Sequence, residues 1–594
     1  MMGKFSKAAA GLALVGAVAM DPLSAAIKPG VWLDGQWGTV PQGNRGATLT
    51  SIVNSDGSVS VFGLTFGYNE NGESQWLVLQ FDMLEHQFQA TANVLLLDGG
   101  TSGFPIVTPS ISTIGTADLT LNTCGDLDLS VDITSAASGF ADFDWSLTPL
   151  SNAANVGLGT NPQCVYTEAF QGCPAFAAPA VGLERACILN GVIRNQDITL
   201  TNDTTWVLNG LVQIGDDNAN SSTVTVDPGT VLVGAGGTAD YLYVNPGSRI
   251  FAAGLPFAPI VLTTPNDGFV AGSQPQPGDV GGLVVSGNAP CNSSPDQNLC
   301  FSEFDPTLRY GGDDATESSG VIKYWQVRYG GFEFQPNREV NAFTFQAVGN
   351  GTVISHLQSY ANLDDAIEFF GGTANARYIV GTAGNDDGID WDEGWSGKLQ
   401  YGLMFFTDAS NGDHGFESAN NPDNDDALPR ATPRLSNITL VGAAGTGDGI
   451  RYKEGTAGQT WNSVVTGFEA NCIRFVDLPT YTAAGTLNNL TGDTAIAGTI
   501  IGNCGNLFRT ENGAPFTVDD FFAAFPGNEV ADPLLDGFMP MDGSPALEGG
   551  LRVIDLNTGE PDQFFDFTEY RGAFDGREDW TAGWTFDVKG ELIQ

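Results

Sequence analysis

The stretch Asn362–Trp395, NLDDAIEFFGGTANARYIVGTAGNDDGIDWDEGW, is dense in carboxylates. Asp364 and Asp365 form one acidic pair, Asp386 and Asp387 a second, and Glu368, Asp390, Asp392 and Glu393 follow them. Two chemistries suit such a set. Hard carboxylate oxygens bind Ca2+, for which Asp364, Glu368, Asp386, Asp390, Asp392 and Glu393 are the candidate ligands. Crowded carboxylates also raise one another's pKa and so keep a proton available for transfer. In that case Asp364, Asp365, Asp386, Asp387 and His414 are the candidate catalytic residues. Arg451, Lys453 and Arg474 lie further along and are candidates for holding a substrate carboxylate.

These residues recur in one phrase. Asp364-Asp365-Ala366-Ile367-Glu368-Phe369 returns as Asp386-Asp387-Gly388-Ile389-Asp390-Trp391, then more weakly around Phe416, Ile450, Ile473 and Phe508. The apolar anchors are Ile367, Ile389, Phe416, Ile450, Ile473 and Phe508, at steps of 22, 27, 34, 23 and 35 residues. A period near a fixed minimum with variable insertions marks stacked units. Each unit alternates apolar and polar residues, as a half-buried strand does. The fold expected is all-β: a parallel β-helix of short strands with loops inserted at the corners. If the anchors stack, Glu368, Asp390, Glu417, Arg451, Arg474 and Arg509 form an outward column at about 4.8 Å per rung. A second column, two residues before each anchor, holds Asp365, Asp387, His414, Asp448, Asn471 and Asn506.

The chain of 594 residues has 69 Asp and Glu against 23 Lys and Arg, a formal net charge of −46. Such a surface repels nucleic acid and anionic lipid. Residues 1–26 read as a signal peptide: Lys4 and Lys7, the apolar run Ala8–Met20, then Ser24-Ala25-Ala26. No later run is long enough to be a transmembrane segment. Eight cysteines suit an oxidising compartment. Cys291 with Cys300 closes a local loop in this reading, and Cys472 with Cys504 joins neighbouring rungs. The expected location is secreted, extracellular or outer cell surface, with the periplasm as the other choice.

Residues 27–150 read as a small antiparallel β domain, with Asn69-Glu70-Asn71-Gly72 as a hairpin turn between Val59–Tyr68 and Gln75–Phe81. Trp32 and Trp76 are core residues or sugar-stacking platforms. Residues 151–190 are a Cys-rich connection, and the coil is expected over 191–560. Val226-Asp227-Pro228-Gly229 and Val244-Asn245-Pro246-Gly247 supply corner turns. Gly282–Arg309 reads as an insertion, and Asn411–Pro433 as a long acidic loop beside His414. Residues 561–594 are expected to cap the open end, because unpaired strand edges must be covered.

Gly281–Pro290, Tyr310–Asp314, Ser319–Tyr324, Asn337–Phe343, Asp364–Gly372, Asp392–Trp395 and the Tyr570–Trp584 ending resemble a family of secreted bacterial right-handed parallel β-helix proteins of pectin lyase-like fold. That resemblance implies fold and export, not activity. A narrower one is to inverting polygalacturonases, whose Asn-x-Asp, Asp-Asp, Gly-His-Gly and Arg-x-Lys motifs are similar to Asn362-Leu363-Asp364, Asp386-Asp387, His414-Gly415 and Arg451-Tyr452-Lys453. Asp413 departs from the first Gly of Gly-His-Gly, and Asp365, not Asp364, holds the aligned column position. Two function classes therefore remain. One is a non-catalytic protein that binds extracellular polysaccharide or builds a surface layer or matrix by self-assembly, stabilised by calcium. The other is a glycoside hydrolase on acidic polysaccharide, or a lyase with Lys398 or Lys453 as base. The first is favoured, because so acidic a chain attracts a polyanion poorly unless Ca2+ or the arginine stripe reverses the local field.

Overall fold

Strand pairing in the computed structural model joins the repeat anchors into one line. Ile367 pairs with Ile389, Ile389 with Phe416, Phe416 with Ile450, Ile450 with Ile473, and Ile473 with Phe508. All of these pairings are parallel and in register, so the coil is a parallel β-helix. The structure describes residues 172–588 apart from short internal gaps, together with the strands of an N-terminal barrel and the residues beside them between 35 and 149. The signal stretch, Trp32 and the Asn69–Gly72 turn lie outside the described residues, as does the side chain of Trp76.

The coil begins at strand Ala186–Ile193, where Cys173–Cys187 ties the preceding segment to the first rung. Each rung then contributes strands to three parallel sheets. The sheet that carries the acidic phrase runs through Tyr241–Val244, Leu283–Ser286, Phe343–Gln346, Ile367–Phe370, Ile389–Asp392, Phe416–Ser418, Asp448–Tyr452, Asn471–Phe475 and Asn506–Arg509. Strand Leu283–Ser286 corrects the expected Gly282–Arg309 insertion. Its four residues are all buried and form a rung, so the excursion starts after Ser286. At the corners after Val226 and Val244, Gly229 and Gly247 take φ of +78° and +80°, which a side chain disfavours.

The interior is aromatic. Phe345 stacks on Phe369 and Phe369 on Trp395, the latter with ring centroids 4.1 Å apart, and Trp391 packs against Phe416 and Tyr452. One residue before each anchor the column is small, because rungs approach closely there. A Cβ on Gly415 would come within 2.5 Å of the Gly449 carbonyl oxygen. Cys472 ends this run of small residues, and it is bonded to Cys504.

A second line of residues bends the coil at another corner. Tyr324, His356, Tyr378 and Tyr401 all take positive φ and stack in sequence, with centroids 4.2, 4.4 and 4.8 Å apart. Burial, with Lys323 second, pushes the His356 imidazole down to about 4. Trp580 and Trp584 cover this stack. The C-terminal segment thus does its covering along the flank of the coil. Gln326 and Gln358 donate to the carbonyls of Trp584 and Phe586, Gln400 accepts from Asp566, and Asn462 donates to Leu551. The end rung is closed by helix Val518–Ala524, which buries Phe521 and Phe522 against the core.

Upstream, strands from Gly35–Thr39 to Phe143–Pro149 form a closed antiparallel barrel, the first pairing back with the last. Alternate residues such as Leu77, Leu79 and Phe81 fill it, while Ser60–Asp82 and Ser130–Asp144 pairs lie outside. Removing the ring at the centre of the coil's aromatic stack should cost about 3–5 kcal/mol. Trp395→Ala is therefore expected to lower the denaturant midpoint of the coil. An unchanged midpoint would show that the stack is not a stabilising core.

Candidate functional site

The outward column forms in the predicted order. Glu368 pairs with Asp390, Asp390 with Glu417, Glu417 with Arg451, Arg451 with Arg474, and Arg474 with Arg509. Beside it runs the turn column, which is a hydrogen-bonded ladder. Asp365 Oδ1 accepts the Asp387 amide at 3.0 Å, and Asp387 Oδ1 accepts the His414 amide at 2.6 Å. Asn471 donates to Asp448 Oδ1 at 2.5 Å, and Asn506 to Asn471 Oδ1 at 3.1 Å. One oxygen each of Asp365 and Asp387 therefore satisfies a backbone amide of the next rung, and Asp448 accepts the Asn471 side chain, which is structural work. The other oxygens converge with the outward column.

Convergence is close. Ligand oxygens of Asp365, Glu368 and Asp390 lie within 4.8 Å of one another, and so do those of Asp387, Asp390 and Glu417. Asp364, Asp365 and Asp386 form a third such group, and Asp387, Asp413 and His414 a fourth. These groups could hold a metal ion. The donors suit a hard cation, since three of the four groups offer only carboxylate oxygen. Asp390 belongs to two of them, and its Oδ1 is sealed from solvent with no hydrogen-bond partner. Asp392 and Glu393 sit further along. The Asp392 carboxylate accepts the Glu393 amide, and Glu393 accepts from the Tyr310 hydroxyl.

Burial and like charge act in the same direction here. Burial first, then Asp386 and Glu339, pushes the Asp364 carboxyl up to about 8. Burial, then Asp413 and Glu417, takes Asp386 up to about 6. Asp392 rises to about 7 mainly through burial, and Glu393 to about 8 through burial and Asp392. Asp365, Glu368, Asp387 and Asp390 are all held well above the ordinary range by burial and by neighbouring acids.

The cations near the site are engaged. Arg451 Nη1 donates to His414 Nε2, so the ring's proton sits on Nδ1, which lies 2.5 Å from Asp413 Oδ1. Burial pushes Asp413 up, but the hydrogen bond from His414 and the nearby Arg451 charge outweigh it and hold that carboxyl below its usual value. Lys453 Nζ is 2.8 Å from Glu417, Arg451 Nε 3.5 Å from Glu417, and Arg474 3.7 Å from Asp448. Asn341, which donates to Glu368 at 2.5 Å, belongs to the site although the acidic phrase does not include it. Its place two residues before Phe343, an anchor one rung upstream, is the signal that finds it. Glu339 and Glu303 add charge from loops outside the repeat, where periodicity gives no signal.

Residues 191–496 match the family described as a pectate-lyase-like β-helix domain. Among solved structures, the crystal structure of the periplasmic alginate epimerase AlgG is similar at 8% identity. The match covers 61% of this chain and 82% of that one with a TM-score of 0.23, and nothing is rested on it. No curated protein matches the chain.

Each raised carboxyl binds its proton more tightly in the folded chain than in the unfolded one, where values near 4 apply. Between about pH 4 and pH 8 the folded state therefore carries more protons, and stability falls as pH rises through the values of about 6 for Asp386, about 7 for Asp392 and about 8 for Asp364 and Glu393. Melting in chelator is expected to show a midpoint that declines from about pH 5 to about pH 8. A flat or rising midpoint would mean that these acids are not crowded.

Proposed function

The chain belongs to the family of pectate-lyase-like β-helix domains, and from that premise we propose that it binds acidic polysaccharide in a non-catalytic role, through calcium held on the outward face of the acidic rungs. The observation that carries this reading is Asp390 Oδ1, sealed and without a donor, between two groups of carboxylates whose oxygens lie within 4.8 Å. An ion bound there by the folded chain relieves the repulsion and offers open coordination positions to a uronate carboxylate. Arg451 and Lys453 are already committed to His414 and Glu417, which favours a bridging cation over a direct grip at those rungs. The N-terminal signal pattern and the disulfides support a secreted, cell-surface or periplasmic location. A surface-layer or matrix role by self-assembly fits the same calcium chemistry.

A second reading is inverting hydrolysis, with Asp387 as acid and Asp386, Asp364 or Asp365 activating water. Its support is that burial and Glu417 hold the Asp387 carboxyl well above the ordinary range, so it can keep a proton, while Asp386 at about 6 can be ionised at neutral pH. The lyase reading rests on less, since Lys453 is bound to Glu417 and Lys398 to Asp562 of the C-terminal segment.

Calorimetric titration with calcium tests the first reading. At a calcium concentration a hundredfold above Kd, about 2.7 kcal/mol of stabilisation is expected. Asp390→Asn with Glu417→Gln should weaken binding about tenfold or more, ~1.4 kcal/mol. Retention on immobilised polyuronate should require calcium and disappear in that variant. Release of reducing ends from the polymer, lost in Asp387→Asn, would decide for hydrolysis.

A further inference from the structure

The outward column changes its surroundings along the coil. At its upstream rungs Tyr243, Val284 and Thr344 are fully buried. Two excursions cover them. The one after Ser286 brings Phe304 and Leu308, and the one after Arg328 brings Phe334 and Val340. The Phe304 ring lies 6.5 Å from Tyr243 and 6.2 Å from Phe334, so the cover is a packed apolar wall. Glu368 comes next in the column, 7% exposed, held by Asn341 and close to Glu303 of the first excursion. From there the column opens. Side-chain exposure is 22% at Glu417, 26% at Arg451 and 27% at Arg474, and Arg509 stands in solvent. Strand Asn506–Arg509 is the last of this sheet among the described residues. Charge changes sign in the same direction, from Glu368, Asp390 and Glu417 to Arg451, Arg474 and Arg509.

We propose that this face is a one-ended groove that takes the terminus of an anionic glycan, its end sugar at the Asp390 rung and the following sugars over Arg451, Arg474 and Arg509. The proposal rests on the cation-bridged reading above and adds how a chain enters. A mid-chain segment would have to continue past Glu368 through the space that Phe304, Leu308, Phe334 and Val340 fill. A terminus needs only the open side. Each rung advances about 4.8 Å, comparable with one 1,4-linked pyranose, so a polyuronate presents roughly one carboxylate per rung. The end carboxylate meets acids and is held through the divalent ion, with the unpartnered Asp390 Oδ1 among the ligands. The outermost carboxylate meets the exposed Arg509 guanidinium directly, whereas Arg451 and Arg474 keep their pairs with Glu417 and Asp448 and add attraction at longer range. The sign change therefore orients the ligand along the coil axis.

The test uses the full chain with calcium and size-fractionated polyuronate, from tetramers to long polymer, at equal uronate mass. Protein bound at saturation is expected to rise in inverse proportion to mean chain length, because ends and not mass set the number of sites. Saturation that stays constant per uronate mass overturns the one-ended groove while leaving cation-bridged binding in place. Absence of binding at every length removes both. Arg509→Glu, an exposed substitution outside the carboxylate groups, gives the direction. It should weaken oligomers long enough to reach that rung, spare the shortest, and leave calcium uptake unchanged. Equal loss at all lengths, or none at any, would overturn the assigned orientation.

Discussion

In-register parallel pairing is the constraint on which everything else depends. It repeats a residue's environment every ~4.8 Å, so a carboxylate placed at one rung position meets a carboxylate at the next. Two unit charges at that distance repel by about 3.5 kcal/mol at an effective dielectric near 20. A whole domain is stable by only about 5–15 kcal/mol. Three consecutive ionised rungs would consume much of that margin. The chain answers with backbone amides that bond Asp365 and Asp387, with Lys453 and Arg451 against Glu417, and with carboxyls that hold their protons. Asp390 Oδ1 is left without a hydrogen-bond partner among these groups, which is why the proposed cation is placed there.

The same repetition works in favour of the interior. Rung spacing stacks Phe345 on Phe369, and Trp395, from the turn after the next strand, lies flat against Phe369, so large rings fill a narrow coil. It also demands small residues where rungs close up. Ala366, Gly388, Gly415 and Gly449 occupy one column, and a Cβ on Gly449 would come within 2.3 Å of Val465. The acidic phrase is thus two messages in one. Its Asp-Gly-Ile part builds the rung, and its flanking acids stand on the surface the rung creates. Site and scaffold share residues, so the acids cannot be moved independently of the turn that holds them.

This sharing explains what was legible in the sequence. The anchors, both polar columns and the Cys291–Cys300 and Cys472–Cys504 pairs follow from spacing along the chain, because each depends on contacts one rung away. The wall did not. Phe304 and Phe334 lie in excursions whose length varies freely, and they meet only because both fold over the same rungs. Glu368 is expected to be wet by alternation alone, yet it is buried. The flank covering is equally remote, with Gln326 and Trp584 separated by 258 residues. Closure of the N-terminal strands into a barrel depends on the first strand finding the last, which local alternation cannot specify.

Family membership fixes a scaffold more firmly than a reaction, because function resides in side chains that the scaffold merely spaces. Along the outward column the six charges from Glu368 to Arg509 cancel, on a chain whose net charge is −46. A polyanion approaching elsewhere meets repulsion. Here it meets a line with an acidic end and a basic end. Direct attraction is available only over the arginines, and the acidic end becomes attractive only once a cation has reversed its sign. Glu417 stands at the change-over, paired with Lys453 and with Arg451, the first of the basic rungs. On the reading proposed above, the order of charges along one stacked column is what makes binding directional and confined to one face.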